Sequence, residues 1–81
     1  MDIRALFFAT YRDLVGTPSL TVTLEPPATV AGLITRLRER GAPFDRLPER
    51  PAVALNREYV ADDAPLSAGD EVAFIPPVAG G

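Results

Sequence analysis

Hydrophobic and polar positions divide the chain into a short run of elements. Ile3-Arg4-Ala5-Leu6-Phe7-Phe8-Ala9 is rich in strand formers. Ile3, Ala5, Phe7 and Ala9 fall on one side, and Arg4, Leu6, Phe8 and Thr10 on the other. Both sides carry large apolar groups, so both are expected to be covered at some time. Tyr11 to Val15 fits a helical turn ended by Gly16. Ser19 to Leu24 alternates with period two, which turns Leu20, Val22 and Leu24 inward as a half-buried strand, hairpin-paired with the first. Glu25-Pro26-Pro27 stops that strand. Thr29 is a suitable N-cap for a helix whose Val30, Leu33, Ile34 and Leu37 share one face, with Gly41 and Pro43 marking its end. Residues 42–51 hold three prolines and read as a loop. Ala52 to Leu55 reads as a strand, Asn56-Arg57 as a tight turn and Glu58 to Val60 as a second strand. Asp62 to Ala68 reads as a loop with a turn at Pro65-Leu66. Ser67 to Asp70 is a further turn, and Glu71 to Ile75 the last strand, with Val72 and Phe74 on one face and Ala73 and Ile75 on the other. Pro76-Pro77 ends it, because proline cannot donate to a ladder.

This order is a hairpin, one main helix, then two or three strands. A single helix covers only one face of one sheet. With the closing strand returning beside the first, the expected fold class is α+β: a ubiquitin-like β-grasp with a mixed sheet of four to five strands. Residues 1–75 form the expected domain and residues 76–81 an extended C-terminal tail.

Composition narrows the chemistry. The 81 residues contain no cysteine and no histidine, and all eight basic residues are arginine. Disulfides, thiolate metal sites, imidazole bases and Schiff-base lysines are therefore excluded. Ser19, Ser67, Tyr11 and Thr10 lack a neighbouring histidine or lysine, so none reads as an activated nucleophile. Asp62-Asp63 reads as a solvated pair rather than a cation site, so no metal is expected. Asp70 reads as a turn residue. Asn56 reads first as a residue of its turn, with a hydrogen bond to a partner's backbone as the alternative. The net charge of −3, with arginines spread along the chain, argues against nucleic acid as a partner. Arg36, Arg38 and Arg40 read as the solvated end of the helix. No apolar run reaches the length of a membrane span, and the leading one follows Asp2 and Arg4 without a cleavage-site pattern. No membrane association is expected, and the cytoplasm is the expected compartment.

Two features carry function. Gly80-Gly81 follow a stiff diproline, so Pro76, Pro77, Val78, Ala79, Gly80 and Gly81 read as a device that presents a main-chain carboxylate. Six extended residues reach roughly 20 Å. Glycines without β-carbons thread a narrow channel that larger residues would block. A carboxylate becomes an acyl donor only after activation, for example as a mixed anhydride with AMP. The second feature is apolar surface. If Ile3, Ala5, Phe7, Val72 and Phe74 pack beneath the helix, Leu6, Phe8 and Ile75 lie on the open face, with Tyr59 a possible member. The alternative is that the 42–51 loop covers Leu6 and Phe8.

Over nearly its whole length the chain resembles the MoaD family, the small sulfur-carrier subunits of molybdopterin synthase. The resemblance rests on Leu6-Phe7-Phe8-Ala9, Arg12-Asp13-Leu14-Val15-Gly16, Ala54-Leu55-Asn56 and the run Gly69 to Gly81 with its Pro-Pro-Val-Ala-Gly-Gly ending. Ile75 stands where a second aromatic is common. The resemblance implies a sulfur carrier that has no catalytic side chain and binds no cofactor of its own. An adenylating enzyme of the MoeB type would use ATP to adenylate Gly81, and sulfur would replace AMP to give a thiocarboxylate. The tail, with Gly80 at the threading position, would enter a large subunit of the MoaE type. There sulfur would pass to cyclic pyranopterin monophosphate, within a heterotetramer of two small and two large subunits. Phe8, Tyr59, Ile75 and Leu6 are the interface candidates. Carriage of sulfur for another pathway, such as thiamine, and protein modification through Gly81 are the alternatives.

Overall fold

The computed structural model describes residues 1–77. The strands are β1 (Asp2–Phe7), β2 (Ser19–Thr23), β3 (Ala28–Thr29), β4 (Ala52–Leu55), β5 (Glu58–Val60), β6 (Pro65–Leu66) and β7 (Glu71–Ile75). The helices are α1 (Ala9–Val15) and α2 (Val30–Arg38), with a 3₁₀ turn at Phe44–Arg46. Five strands form one mixed sheet in the order β2-β1-β7-β4-β5, and β3 and β6 pair separately. β1 and β2 are an antiparallel hairpin, and β7 lies parallel to β1 in the register Arg4↔Glu71 to Phe7↔Phe74. The β-grasp expectation therefore holds.

Strand alternation decides which face is buried. Ile3, Ala5, Phe7, Val22, Val53, Val72 and Phe74 turn to one side and are buried. They meet Val30, Leu33, Ile34 and Leu37 of α2, spaced to share one helical face. The Phe7 and Phe74 rings lie 5.3 Å apart beneath the central pair of strands, and Phe44 packs 6.4 Å from Phe7. Thr29 caps α2 as its sequence suggests: its Oγ1 accepts from the Gly32 N–H at 3.2 Å. The helix stops at Arg38, before Gly41. Gly41 takes a left-handed φ of 82° two residues beyond the Glu39 C-cap.

The proline-rich segment 42–51 belongs to the core side of the sheet. Its Leu47 is buried and its Phe44 packs against the core cluster. Arg38 ties it down: Nε donates to the Leu47 carbonyl at 2.9 Å, and the guanidinium reaches the Asp45 carbonyl and Glu49. One of the three arginines read as solvated is thus a structural strut. Pro65-Leu66, read as a turn, forms β6 against β3 and brings Leu66 into the core. The first strand is also shorter than its apolar run. Ala9, placed inward by the alternation, is instead exposed, has a φ of 47° and begins α1.

Asn56 and Arg57 make the β4–β5 turn with φ values of 48° and 75°. The Asn56 amide donates to Asp70 Oδ1 and accepts from the Glu71 N–H, both at 3.0 Å, while Asp70 Oδ2 accepts from the Ser67 N–H. This clip joins the turn to the start of β7. Arg57 has a β-carbon where glycine is favoured and pairs with no carboxylate among the described residues. Arg57→Gly is expected to stabilise the fold by roughly 0.5–1 kcal/mol, read as a higher denaturant midpoint at unchanged slope. A lower midpoint would show that the arginine makes a contact worth more than the strain.

Candidate functional site

The strand pairing sorts the other face of the sheet into two zones. Leu6 pairs with Ala73, Ala73 with Ala54, and Ala54 with Tyr59, so these four stand in one row across β1, β7, β4 and β5. The next row toward the end of β7 holds Ile75 opposite Ala52. Phe8 follows the Phe7↔Phe74 pair, which sets it level with Ile75. At the opposite end, Asp2, Arg4, Thr21, Thr23 and Glu71 make the same face polar. The apolar zone therefore coincides with the end from which Pro76-Pro77 leave β7.

Exposure separates the candidates. Tyr59 is 73% exposed and Phe8 46%, the two large hydrophobic residues most open to solvent among those described. Leu6 and Ile75 are half-buried. Phe44 and Leu47 of the 42–51 segment pack on the helix side, and its Pro48, Arg50 and Pro51 lie by Ala52, Tyr59 and Ile75, so the segment leaves Phe8 open. Small Ala52, Ala54 and Ala73 leave a shallow floor between the larger side chains. Phe8 caps α1 through its backbone: its carbonyl accepts from the N–H groups of Tyr11 at 3.0 Å and Arg12 at 3.3 Å. The left-handed Ala9 that follows makes the sharp turn from strand to helix at this point. Gly16, with a φ of 81°, ends α1, and its N–H donates to the Arg12 carbonyl.

A groove of about 480 Å³ lies at the root of the diproline, between Tyr11 and Pro48-Arg50-Pro51 on one side and Ala52, Tyr59 and Ile75 on the other. Pro76 and Pro77 line it. Sequence reasoning found Tyr59, Ile75 and the diproline, but not Tyr11 or Arg50, which reach the site only through α1 and the 42–51 segment. Val78, Ala79, Gly80 and Gly81 lie outside the described residues. Among the described residues, no cluster of three acidic side chains could hold a metal, and no helix is long and apolar enough to cross a membrane.

A mixed five-stranded sheet, one main helix packed on one face and an apolar patch beside the exit of the last strand define a ubiquitin-like β-grasp protein. The ThiS family model matches residues 5–81. The molybdopterin synthase sulfur carrier subunit of Escherichia coli is 41% identical over 81 residues, 98% of this chain and 99% of the relative. Among solved structures, a putative molybdopterin converting factor subunit 1 from Pyrococcus furiosus superposes with a TM-score of 0.82 at 29% identity, covering 96% of this chain and 99% of that one. The small archaeal modifier SAMP1 of Haloferax volcanii gives 0.77 at 28%, covering all of both chains. This chain belongs to the ThiS family and, within it, to the sulfur-carrier subunits of molybdopterin synthase. It is a carrier in molybdopterin biosynthesis and not the catalytic subunit.

Partial burial against the core raises the Tyr11 phenol above its ordinary pKa. The fold thus favours the neutral phenol, and the unfolded chain loses that proton first as pH rises. This contribution to stability is intact below the unfolded tyrosine value of about 10 and is lost as pH climbs through the folded value. Tyr11→Phe is expected to flatten the alkaline fall of the thermal midpoint above about pH 9. An alkaline slope identical to that of the parent protein would remove Tyr11 as its source.

Proposed function

We propose that residues 1–75 form a rigid body which presents residues 76–81 as a tail, with the Gly81 carboxylate as the reacting group. A partner enzyme of the MoeB type attaches AMP from ATP to that carboxylate, with loss of pyrophosphate. Sulfur then displaces AMP at the acyl carbon, giving a thiocarboxylate. The charged tail enters a large subunit of the MoaE type, Gly80 passes the narrowest part of the channel, and sulfur moves to cyclic pyranopterin monophosphate. The assembly in this reading has two small and two large subunits, and Phe8, Leu6, Ile75 and Tyr59 bear on the large one.

The observation that carries this reading is the overlap of two features at one end of the sheet. The open face is apolar only where β7 gives way to the diproline. A partner seated there stands next to the tail it must thread. The side chains fit the division of labour as well. With no Cys, His or Lys, the chain leaves the main-chain terminus as its reactive electrophile and the chemistry to its partners.

A second reading, protein modification through Gly81, is favoured by the likeness to SAMP1. Both uses need the same activated terminus. The absence of lysine rules out lysine-linked chains of this protein with itself, but not its conjugation to other proteins.

Intact mass after incubation with the adenylating enzyme, ATP and a sulfur donor is expected to show one oxygen exchanged for one sulfur at Gly81. Deleting Gly81 should abolish the exchange and leave the thermal midpoint in place, since the buried core among the described residues runs from Ile3 to Phe74. Failure of the full chain with its cognate enzyme would refute the carrier mechanism. Isopeptide adducts in place of the thiocarboxylate would establish the modifier reading. Phe8→Asp should weaken large-subunit binding at least tenfold while costing little stability, because Phe8 is already half exposed. A large stability loss with intact binding would place Phe8 in the core instead.

A further inference from the structure

The groove beside the diproline contains a charge that the fold does not use. Arg50 is exposed and is the charged side chain among the lining residues. The ion pair found among the described residues is Arg38–Glu49, and no carboxylate among those residues lies within pairing distance of Arg50. The rest of the wall is rings and aliphatic groups: Tyr11, Tyr59, Ile75 and the prolines at 48, 51, 76 and 77. An apolar cleft with a single cation on its rim fits an extended segment that places an aliphatic or aromatic side chain between the two tyrosines and a carboxylate on the guanidinium. Arginine suits this because its planar fork binds a carboxylate through two parallel hydrogen bonds.

Position decides who supplies that segment. Tyr59, Ala52 and Ile75 line the groove and also belong to the apolar zone of the open face. A protein seated on that zone extends over the groove without a break. We propose that the groove between Tyr11, Arg50 and the diproline is a second docking point for the large subunit, taking an acidic segment whose carboxylate pairs with Arg50. The proposal rests on the seating of the large subunit on the open face. It adds a charged latch on the opposite side of the tail root from Phe8, so the tail is gripped from two sides where it leaves the sheet.

The test is the affinity of the full chain for the isolated large subunit, measured at low and high salt. Arg50→Gln is expected to raise Kd about tenfold at low salt and to flatten the salt dependence. Arg50→Glu should raise it further. Arg46→Gln removes an exposed arginine of the same segment that does not line the groove, and should leave Kd unchanged. Each variant should keep the parent's thermal midpoint, since neither arginine pairs with a carboxylate among the described residues. A Kd for Arg50→Gln within twofold of the parent, or an equal loss in Arg46→Gln, would overturn the proposal. So would weaker binding to the adenylating enzyme alone, which would assign the groove to that partner. Concentration-dependent self-association abolished by Arg50→Gln would seat a second copy there and count against it equally. Thiocarboxylate formation at Gly81 is read separately on the same variants. Its loss in the parent chain sinks the carrier mechanism, while its retention with an unaltered Kd in Arg50→Gln sinks only the latch.

Discussion

The parallel pairing of β1 with β7 is the constraint on which the rest of the structure depends. It joins the two ends of the chain, Arg4 to Glu71 and Phe7 to Phe74, in the middle of the sheet. A parallel pair cannot be closed by a tight turn, so everything between must serve as the crossover. The hairpin adds β2 outside β1, α2 covers the core face, and β4 and β5 extend the sheet past β7. The Phe7 and Phe74 rings lie against each other beneath this pair. Because the strands run the same way, their ends emerge together, and Phe8 and Ile75 stand side by side at the point where the diproline begins.

The two faces of the sheet follow from the same alternation but meet different fates. One face needs more cover than nine residues of α2 supply. The proline-rich segment completes it by inserting Leu47 and Phe44, held by Arg38 through main-chain carbonyls. Among the described residues the other face is covered by no helix, and only Tyr11 of α1 and Pro48, Arg50 and Pro51 reach its edge, at the groove. Leu6 and Ile75 are half covered by their neighbours, while Phe8 and Tyr59 are left to solvent. This open apolar zone is the surface on which the proposed docking of the large subunit rests. Its limits are set by polar residues only a few positions away, Arg4 and Glu71 in one row and Thr21 beside them.

Much of this was legible in the sequence because it rests on local rules. The alternation of Ile3, Ala5 and Phe7, and of Val72 and Phe74, named the core face correctly. The Thr29 cap, the Asn56-Arg57 turn and the helical spacing from Val30 to Leu37 each depend on a few adjacent residues. What the sequence hid depends on distant partners. The alternation carried β1 through Ala9, but the backbone turns left-handed there to launch α1, a bend the hydrophobic pattern does not encode. Arg38 looks like its exposed neighbours Arg36 and Arg40 until the segment it binds is in place. Pro65-Leu66 reads as a turn unless Ala28-Thr29 lies alongside. The groove joins α1, the proline-rich segment, two strands and the diproline, so no window of sequence contains it. Asn56 was ambiguous for the same reason: its amide faces Asp70 and Glu71, fourteen or more positions away.

The alanines at 52, 54 and 73 give the open face its low relief. Deep sockets filled by large anchors make for slow dissociation, since most differences in affinity between related complexes lie in the rate of leaving. A nearly flat floor offers few such sockets. In the proposed docking, a partner resting on it would be held mainly at the margins, by Phe8, Tyr59, Leu6 and Ile75. A protein that picks up its cargo in one place and delivers it in another needs to let go as readily as it binds. On the proposed docking, the three methyl groups at this face would keep its visits short.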